Sequence, residues 1–186
     1  MSKKILVLTG SPRKNGNTNK MAEAFIRGAK ESGHEVVRFD AAGHNLGGCK
    51  ACDACWSKGE ACIQADDFNK LATLLENSEV ILITSPLYWF GFPAQLKDAI
   101  DRLYAYLNPA CPRPIAVKES YLFVCGGSSD WQDEYEPLLQ SYRMICDSMS
   151  WINKGILQTG GINAQEALEA SDILKKADEM GRNVGM

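Results

Sequence analysis

The loop after the first apolar segment of the chain carries residue types that bind phosphate. Residues 4–18 read KILVLTGSPRKNGNT, where a short apolar run gives way to glycine, hydroxyl, amide and basic side chains. From Asn17 onward the apolar residues recur at helical spacing, so the order is strand, polar loop, helix start. Backbone N–H groups and hydroxyls at the positive end of a helix form a site for a phosphate group. The candidate residues of this phosphate loop are Ser11, Arg13, Asn15, Gly16, Asn17 and Thr18.

The details of the loop argue against two common nucleotide sites. The P-loop of nucleotide hydrolases needs four residues between its glycines and then Gly-Lys-Ser/Thr. Here five residues separate Gly10 from Gly16, and the lysine is missing. The dinucleotide fingerprint G-x-G-x-x-G is missing too. A single terminal phosphate suits the loop; the alternative is an ordinary strand–helix loop with a Thr or Asn helix cap.

A second loop concentrates aromatic side chains. Residues 85–92 read SPLYWFGF, which places four aromatics within five positions. Such a loop offers apolar surface to a flat ligand ring, and its backbone N–H groups can bind polar atoms at the edges of that ring. The alternative, which we expect for two of the four aromatics, is a place in the core or in a dimer interface. On the helix that follows, we expect Lys97 and Arg102 to form ion pairs with Asp98 or Asp101 rather than contact a cofactor.

Four cysteines lie within fourteen positions, spaced C-x-x-C-x-x-C and then six residues before the fourth. Four thiolates in one loop suit an iron–sulfur cluster. Zinc fits four thiolates as well, although zinc sites more often come as two spaced pairs. The third alternative is four empty thiols. These candidate ligands are Cys49, Cys52, Cys55 and Cys62, whereas Cys111, Cys125 and Cys146 are interpreted as structural, Cys146 as a core residue on a helical apolar face.

Three segments resemble those of the flavodoxin-like NAD(P)H-dependent FMN reductases. GSPRKNGNT is similar to the family's phosphate loop. SPLYWFG, followed by PAQLK and DR, is similar to the loop that holds the isoalloxazine ring and to the helix after it. CGGS at 125–128 is a weaker match. The cysteine loop resembles the compact motif of the iron–sulfur flavoproteins, a branch of relatives that carry a 4Fe–4S cluster close to FMN.

The resemblance implies an oxidoreductase that passes electrons from NAD(P)H through FMN to a quinone, a flavin or another acceptor. The alternative is an electron carrier with a 4Fe–4S cluster in the cysteine loop. No catalytic side chain is expected, because neither of the two histidines lies beside a candidate nucleophile and the flavin would do the chemistry. The implied FMN contacts are the phosphate loop for the phosphate and, for the ring, Pro86, Leu87, Tyr88, Trp89, Phe90, Gly91, Gly126 and Gly127.

The elements that must position these residues alternate along the chain. We predict strands at 5–9, 35–39, 80–84, 120–125 and 156–158, and helices at about 18–32, 67–77, 93–107, 133–149 and 164–180. Asp66 or Asp67 could cap the second helix. This alternation predicts an α/β fold with a doubly wound parallel sheet. In the flavodoxin-like strand order 2-1-3-4-5, a ligand lies at the carboxyl ends of strands 1 and 3, directly before the two strongest motifs.

Length and charge limit the number of domains and the kinds of partner to be expected. A chain of 186 residues is expected to form one FMN-binding domain over 1–186. The net charge of −3 gives no basic footprint, so nucleic acid is not an expected partner. No apolar stretch reaches the ~18 residues of a membrane span. We therefore expect a cytoplasmic protein. The resemblance implies FMN near a subunit interface, and the aromatics of the 85–92 loop exceed what one flavin face can use, so a homodimer or homotetramer is expected. The resemblance also implies a small-molecule or protein electron acceptor.

Overall fold

Five strands form one parallel sheet in the computed structural model, which describes residues 1–108, 111, 113–127, 133–161, 168–169 and 171–186. The order is β2-β1-β3-β4-β5, and every neighbouring pair is parallel. This confirms the predicted fold class and strand order. The strands are β1 Lys4–Thr9, β2 Glu35–Asp40, β3 Val80–Pro86, β4 Glu119–Cys125 and β5 Ile152–Thr159.

Five α-helices are described, and two of their ends differ clearly from the prediction, the end of the third helix and the start of the fourth. They are α1 Asn17–Glu31, α2 Phe68–Asn77, α3 Ala94–Asp101, α4 Glu136–Met149 and α5 Ile173–Arg182. The predicted helix at 93–107 ends earlier, because the chain tightens into a 3₁₀ segment over Arg102–Tyr106. The helix expected from 133 begins at Glu136, with Pro137 in its first turn. Of the helix expected over 164–180, residues 164–167 and 170 lie outside the described part.

The central strands are apolar because both faces of the sheet are covered. Leu6 and Leu8 of β1 belong to one core cluster, and Ile5 and Val7 to the other, as the alternation of side chains in a strand requires. Residues of α2, α3 and α4 pack in the first cluster and residues of α1 and α5 in the second. Cys146 is buried in the first cluster, as predicted.

Two backbone hydrogen bonds hold the loops after the strands together at the carboxyl edge of the sheet. The Gly10 N–H donates to the Thr84 carbonyl at 2.8 Å, which ties the end of β1 to β3. The Leu87 N–H donates to the Cys125 carbonyl at 2.9 Å, which ties the loop after β3 to β4. The loops after β1, β3 and β4 are therefore fixed side by side. Among the helices described, none has the length and apolar character needed to cross a membrane.

Candidate functional site

A cavity of about 570 Å³ opens where the loops after β1, β3 and β4 meet. All six phosphate-loop candidates line it, together with five of the eight residues predicted beside the ring. The structure therefore brings segments about 75 and 110 residues apart in sequence around one space. The lining residues are Ser11, Arg13, Asn15, Gly16, Asn17, Thr18, Pro86, Leu87, Tyr88, Cys125, Gly126 and Gly127.

The phosphate loop leads into an α1 N-terminus that suits an anion. Gly16 occupies the N-cap position, so the alternative of a Thr or Asn cap is wrong. Gly16 has no side chain with which to cap this helix, and the first turn, described in full, holds no acidic residue. The positive end of the helix dipole therefore faces the cavity without a competing carboxylate on that turn.

Short polar contacts within the loop fix its shape. The buried Asn19 side chain donates to the carbonyls of Arg13 at 2.8 Å and Lys14 at 3.2 Å. The Arg13 N–H donates to the Ser11 hydroxyl at 3.2 Å. A Cβ on Gly16 would lie 2.9 Å from the Ser11 hydroxyl and 3.1 Å from the Arg13 carbonyl, so the loop closes only around a glycine. Asn19 was not predicted; a buried amide within the apolar face of α1 is the signal that could have found it.

Gly126 is held at the opposite side of the cavity by a buried tyrosine. Its N–H donates to the Thr159 carbonyl at 3.0 Å and to the Tyr135 hydroxyl at 2.9 Å. The Tyr135 hydroxyl in turn donates to Thr159 at 2.7 Å. Burial raises the pKa of Tyr135 to about 12, which keeps this hydroxyl protonated. A side chain on Gly126 would overlap Tyr135, so the glycine is required by the protein's own packing.

Cys125 lines the cavity although it was interpreted as structural. It is buried, and the Asn17 amide lies within donor distance of its sulfur at 3.8 Å. Burial raises the pKa of this thiol, so it stays protonated at neutral pH. Cys125 therefore contributes a neutral, polarizable wall.

The structure does not bring Trp89, Phe90 and Gly91 to the cavity wall. Tyr88 and Gly91 exchange backbone hydrogen bonds of 3.1 and 3.0 Å, which makes a tight hairpin turn with Trp89 and Phe90 at its tip. Trp89 is 94% exposed and Phe90 38%. Of the four aromatics in this loop, only Tyr88 lines the cavity, while Phe92 packs against the core. Contact of the two tip residues and Gly91 with a flavin remains a prediction.

Lys97 on α3 and Arg102 in the 3₁₀ segment after it have different roles. Lys97 pairs with Asp101 at 2.5 Å, as predicted. Arg102 also forms a structural ion pair, but the predicted partner is wrong, because its side chain pairs with Asp66 and not with Asp98 or Asp101. Arg102 is buried under the loop of residues 45–67, where Asp66 supplies the counter-charge.

The four predicted cysteine ligands line one small pocket, which we call the four-cysteine pocket. Its volume is about 20 Å³, room for about one water molecule. Arg102 and Tyr104 line the same pocket. Within the described residues no group of three His, Cys, Asp or Glu side chains is arranged to hold a metal ion. The four thiols are thus gathered but not in coordinating positions, and these candidate ligands are Cys49, Cys52, Cys55 and Cys62.

Asp66 organises the base of this loop. It accepts hydrogen bonds from Arg102 at 2.7 Å, from the Gly47 N–H at 3.0 Å and from the Phe68 N–H at 3.1 Å. Burial opposes its ionisation, but these donors lower the pKa of Asp66 to about 2. Asp67 occupies the N-cap position of α2 without a side-chain cap bond; its carboxylate accepts from the Asn45 N–H instead.

Aromatic contacts also attach the loop of residues 45–67 to the segment after α3. The ring of Trp56 stacks on Tyr104 with centroids 4.4 Å apart, and its indole N–H donates to the Tyr104 carbonyl at 3.3 Å. The Tyr104 hydroxyl donates to Asp53 at 2.9 Å. Since Tyr104 belongs to the segment that follows α3, these contacts attach the cysteine loop to the same element that carries Arg102.

Comparison with known proteins gives one family over most of the chain. Residues 3–141 match the sequence model of the family described as NADPH-dependent FMN reductase. An iron–sulfur flavoprotein of Archaeoglobus fulgidus is 38% identical over 103 residues, which cover 55% of this chain and 46% of that protein. One of Methanosarcina thermophila is 34% identical over 99 residues, 53% of this chain and 51% of that protein. The chain thus aligns with about half the length of these two relatives.

Over the full length of the chain, similarity to known proteins is weaker in sequence than in these partial matches, but it is clear in fold. YwqN of Bacillus subtilis, provisionally named an NAD(P)H-dependent FMN-containing oxidoreductase, is 25% identical over 94% of this chain and 98% of its own length. The solved NAD(P)H:quinone oxidoreductase of Methanothermobacter marburgensis superposes with a TM-score of 0.79 at 21% identity, covering 100% of this chain and 98% of that one. At that identity the structure supports the fold alone.

Proposed function

Because the chain belongs to the NADPH-dependent FMN reductase family, we propose that it binds FMN in the cavity at the carboxyl ends of β1, β3 and β4. The protein is an oxidoreductase, and the proposed reaction passes electrons from NADH or NADPH to a quinone, a flavin or another acceptor. The observation that carries the proposal is the single cavity lined by the whole phosphate loop and by both later loops.

The described residues fit FMN in size and in chemistry. A volume of about 570 Å³ lies within the usual range for cofactor pockets. The uncapped N-terminus of α1, with Arg13, Ser11 and Thr18 around it, suits the phosphate. Pro86, Leu87 and the neutral Cys125 offer an apolar wall to the ring.

Bound FMN would supply the redox chemistry, taking a hydride from the nicotinamide and releasing electrons to the acceptor. The chain's own residues would then bind and orient. The phosphate loop would fix one end of the cofactor, and the Gly126 backbone, held by Tyr135, would limit the space at the other. No side chain is assigned an acid or base role.

The proposal is tested by comparing FMN with riboflavin, which lacks the phosphate. Titration calorimetry of the flavin-free protein should show FMN binding at least about 10-fold more tightly, because one lost charge-assisted contact already costs more than 1 kcal/mol. Thr73→Ala removes a hydroxyl on the surface of α2 and serves as the control variant. It should bind both flavins as wild type does. Equal affinities for the two flavins would contradict the assignment of the phosphate to this loop.

A second function, electron transfer through a 4Fe–4S cluster, is favoured by the four-cysteine pocket. Four thiols in one loop are the donor set that such clusters use, and their gathering in one pocket supports the proposal. The pocket must widen to admit a cluster, since its volume is about 20 Å³. Iron and acid-labile sulfide should be measured in anaerobically prepared protein and in Cys52→Ser. Iron that is present in the wild type and lost in Cys52→Ser supports this function. If neither protein holds iron, only the reductase function remains.

A further inference from the structure

Asn19 is a buried amide that holds the phosphate loop from its buried side. It lies in the first turn of α1, on the helix face that buries Ala22 and Ile26, and is only 3% exposed. Its side-chain nitrogen donates to the carbonyls of Arg13 and Lys14. Its side-chain oxygen is buried and has no partner among the described residues. A buried polar atom without a partner is costly, so the presence of this amide is explained by what its two donors do.

The two hydrogen bonds of Asn19 fix the direction of two successive peptide groups. In a trans peptide the carbonyl and the N–H of the next residue point in opposite directions. Asn19 draws the carbonyls of Arg13 and Lys14 toward the buried side of α1. The N–H groups of Lys14 and Asn15 therefore point to the other side of the loop. The Gly16 N–H also donates to the Arg13 carbonyl, at 2.9 Å, so this carbonyl is held twice.

The side of the loop to which these N–H groups point is the side that a ligand can reach. Arg13, Lys14 and Asn15 are exposed, and Arg13 and Asn15 line the cavity. Successive N–H groups on one side of a turn form a concavity that binds anions. They lie next to the N-terminus of α1, whose dipole favours the same charge. Asn19, which is not one of the described residues lining the cavity, thus joins the loop and the helix into one anion site from behind.

A second asparagine shows how this protein uses an amide for a structural contact alone. Asn69, on α2, donates to the Cys62 carbonyl at 2.7 Å and accepts from the Cys62 N–H at 3.0 Å. Both polar atoms of its side chain are therefore satisfied. Asn19 leaves its acceptor unused and keeps only the two donors that orient the loop. The comparison indicates that the donors are the part of Asn19 that matters.

We propose that Asn19 is a positioning residue for the phosphate of FMN. By turning the N–H groups of Lys14 and Asn15 toward the phosphate, it increases the preference of the protein for FMN over riboflavin. The inference rests on the proposed function, because it needs FMN in the cavity after β1, β3 and β4. Riboflavin has no phosphate to be positioned, so its binding should not depend on Asn19.

The test is titration calorimetry of flavin-free Asn19→Leu with FMN and with riboflavin. Leucine is similar in size to asparagine and has no donor. The affinity for FMN should fall by about 10-fold or more, the effect of losing one hydrogen bond to a charged group, while the affinity for riboflavin changes by less than about 2-fold. Asn69→Leu removes an amide from α2 and is the control; it should bind both flavins as wild type does.

The outcomes separate this inference from the proposed function. A wild-type protein that binds neither flavin, or binds both equally, contradicts the proposed FMN site and this inference with it. If wild type prefers FMN, an Asn19→Leu variant that keeps this preference, or that loses affinity for both flavins equally, overturns the inference alone.

If Asn19→Leu does not fold, nuclear magnetic resonance of wild type labelled with nitrogen-15 decides. FMN should move the amide proton signals of Lys14 and Asn15 downfield, because their N–H groups would donate to the phosphate, and riboflavin should not. Signals that stay in place, or that move equally with both flavins, overturn the role of Asn19.

Discussion

At the scale of single residues, the phosphate loop has two hydroxyls beside the cavity, those of Ser11 and Thr18. Thr18 is 2% exposed, so its hydroxyl has little access to solvent in the flavin-free protein. Ser11 is half-buried and also accepts from the Arg13 N–H. Both side chains line the cavity beside the positive end of α1. A phosphate bound there would gain charge-assisted contacts from each.

We therefore expect Ser11→Ala combined with Thr18→Ala to weaken FMN binding by about 1–3 kcal/mol. The lost contacts go to a charged acceptor, and their loss should leave riboflavin binding nearly unchanged. Titration calorimetry with both flavins measures the difference. An FMN affinity equal to that of wild type would show that these hydroxyls do not hold the phosphate.

Asp66 gives a prediction about acid stability. Its pKa of about 2 lies below the ordinary value of 3.8, so its stabilising effect is complete above about pH 4 and is lost as the pH falls toward 2. Asp66→Asn should destabilise the protein by about 3–5 kcal/mol at neutral pH, because it leaves a buried arginine without its counter-charge. Urea unfolding at a series of pH values should show this deficit shrinking on acidification.

Asp101→Asn is the matched control for that experiment, since it removes an exposed carboxylate from the pair with Lys97 on α3. Exposed pairs contribute little, so its effect should stay below about 1 kcal/mol at every pH. A deficit in Asp66→Asn that is small, or that does not depend on pH, would contradict the assigned role of Asp66 in the cysteine loop.

The sequence predicts those site residues whose role depends on their neighbours along the chain. The phosphate loop follows β1 directly, so residue types and position were enough to predict it. The contact of Tyr135 with Gly126 and the pairing of Arg102 with Asp66 depend on chain segments brought together by the fold. Local spacing favoured Asp98 or Asp101 for Arg102, because these neighbours are visible in the sequence and the buried alternative is not.

At the scale of elements, the turn of residues 88–91 is strained. Trp89 and Phe90 have φ of +46° and +63°, values that side-chain-bearing residues rarely adopt. Both central residues of a type I′ turn need positive φ, and Asn-Gly is the favoured pair. Two bulky aromatics hold this conformation instead, beside the cavity. Residues in strained conformations cluster at ligand-binding sites, which favours a binding role for the two exposed rings.

Replacing the tip by Asn-Gly, as Trp89→Asn with Phe90→Gly, should relieve that strain. We expect the free energy of unfolding of the flavin-free protein to rise by about 1–3 kcal/mol. Urea unfolding at low protein concentration measures it. A variant less stable than wild type would indicate that the two rings make stabilising contacts within the subunit.

The other elements show where hydrophobic pattern predicts structure well and where it does not. β1 and β3 were predicted because strands buried on both faces are continuous apolar runs. β5 is longer than predicted, since Ile152, Asn153 and Lys154 at its start are exposed on an edge strand and show no apolar pattern. The end of α3 could not be predicted either, because a 3₁₀ segment keeps nearly the same side-chain spacing as an α-helix.

At the scale of the whole molecule, the exposed aromatics favour self-association. Tyr88, Trp89 and Phe90 form a contiguous apolar surface at the rim of the cavity, with exposures from 38% to 94%. Such a surface is unusual on a monomer. It supports the proposal of a homodimer or homotetramer with this hairpin in the interface.

Trp89→Ser should accordingly weaken the assembly by at least about 2 kcal/mol, the size expected for an aromatic anchor at an interface. Sedimentation velocity over a range of protein concentrations measures the dissociation. Met144→Ser removes an exposed apolar side chain of α4 outside the hairpin and serves as the control. A wild-type protein that stays monomeric at micromolar concentration would contradict the proposed assembly.

The central claim is that FMN bound in the cavity after β1, β3 and β4 accepts electrons from a reduced nicotinamide. The most direct measurement mixes FMN-loaded protein with NADH or NADPH in the absence of oxygen and follows the yellow absorbance of the flavin, with free FMN as the control. We predict that the absorbance bleaches rapidly with at least one nicotinamide and only slowly without protein. Failure to hold FMN, or an absorbance unchanged by both nicotinamides, would contradict the claim.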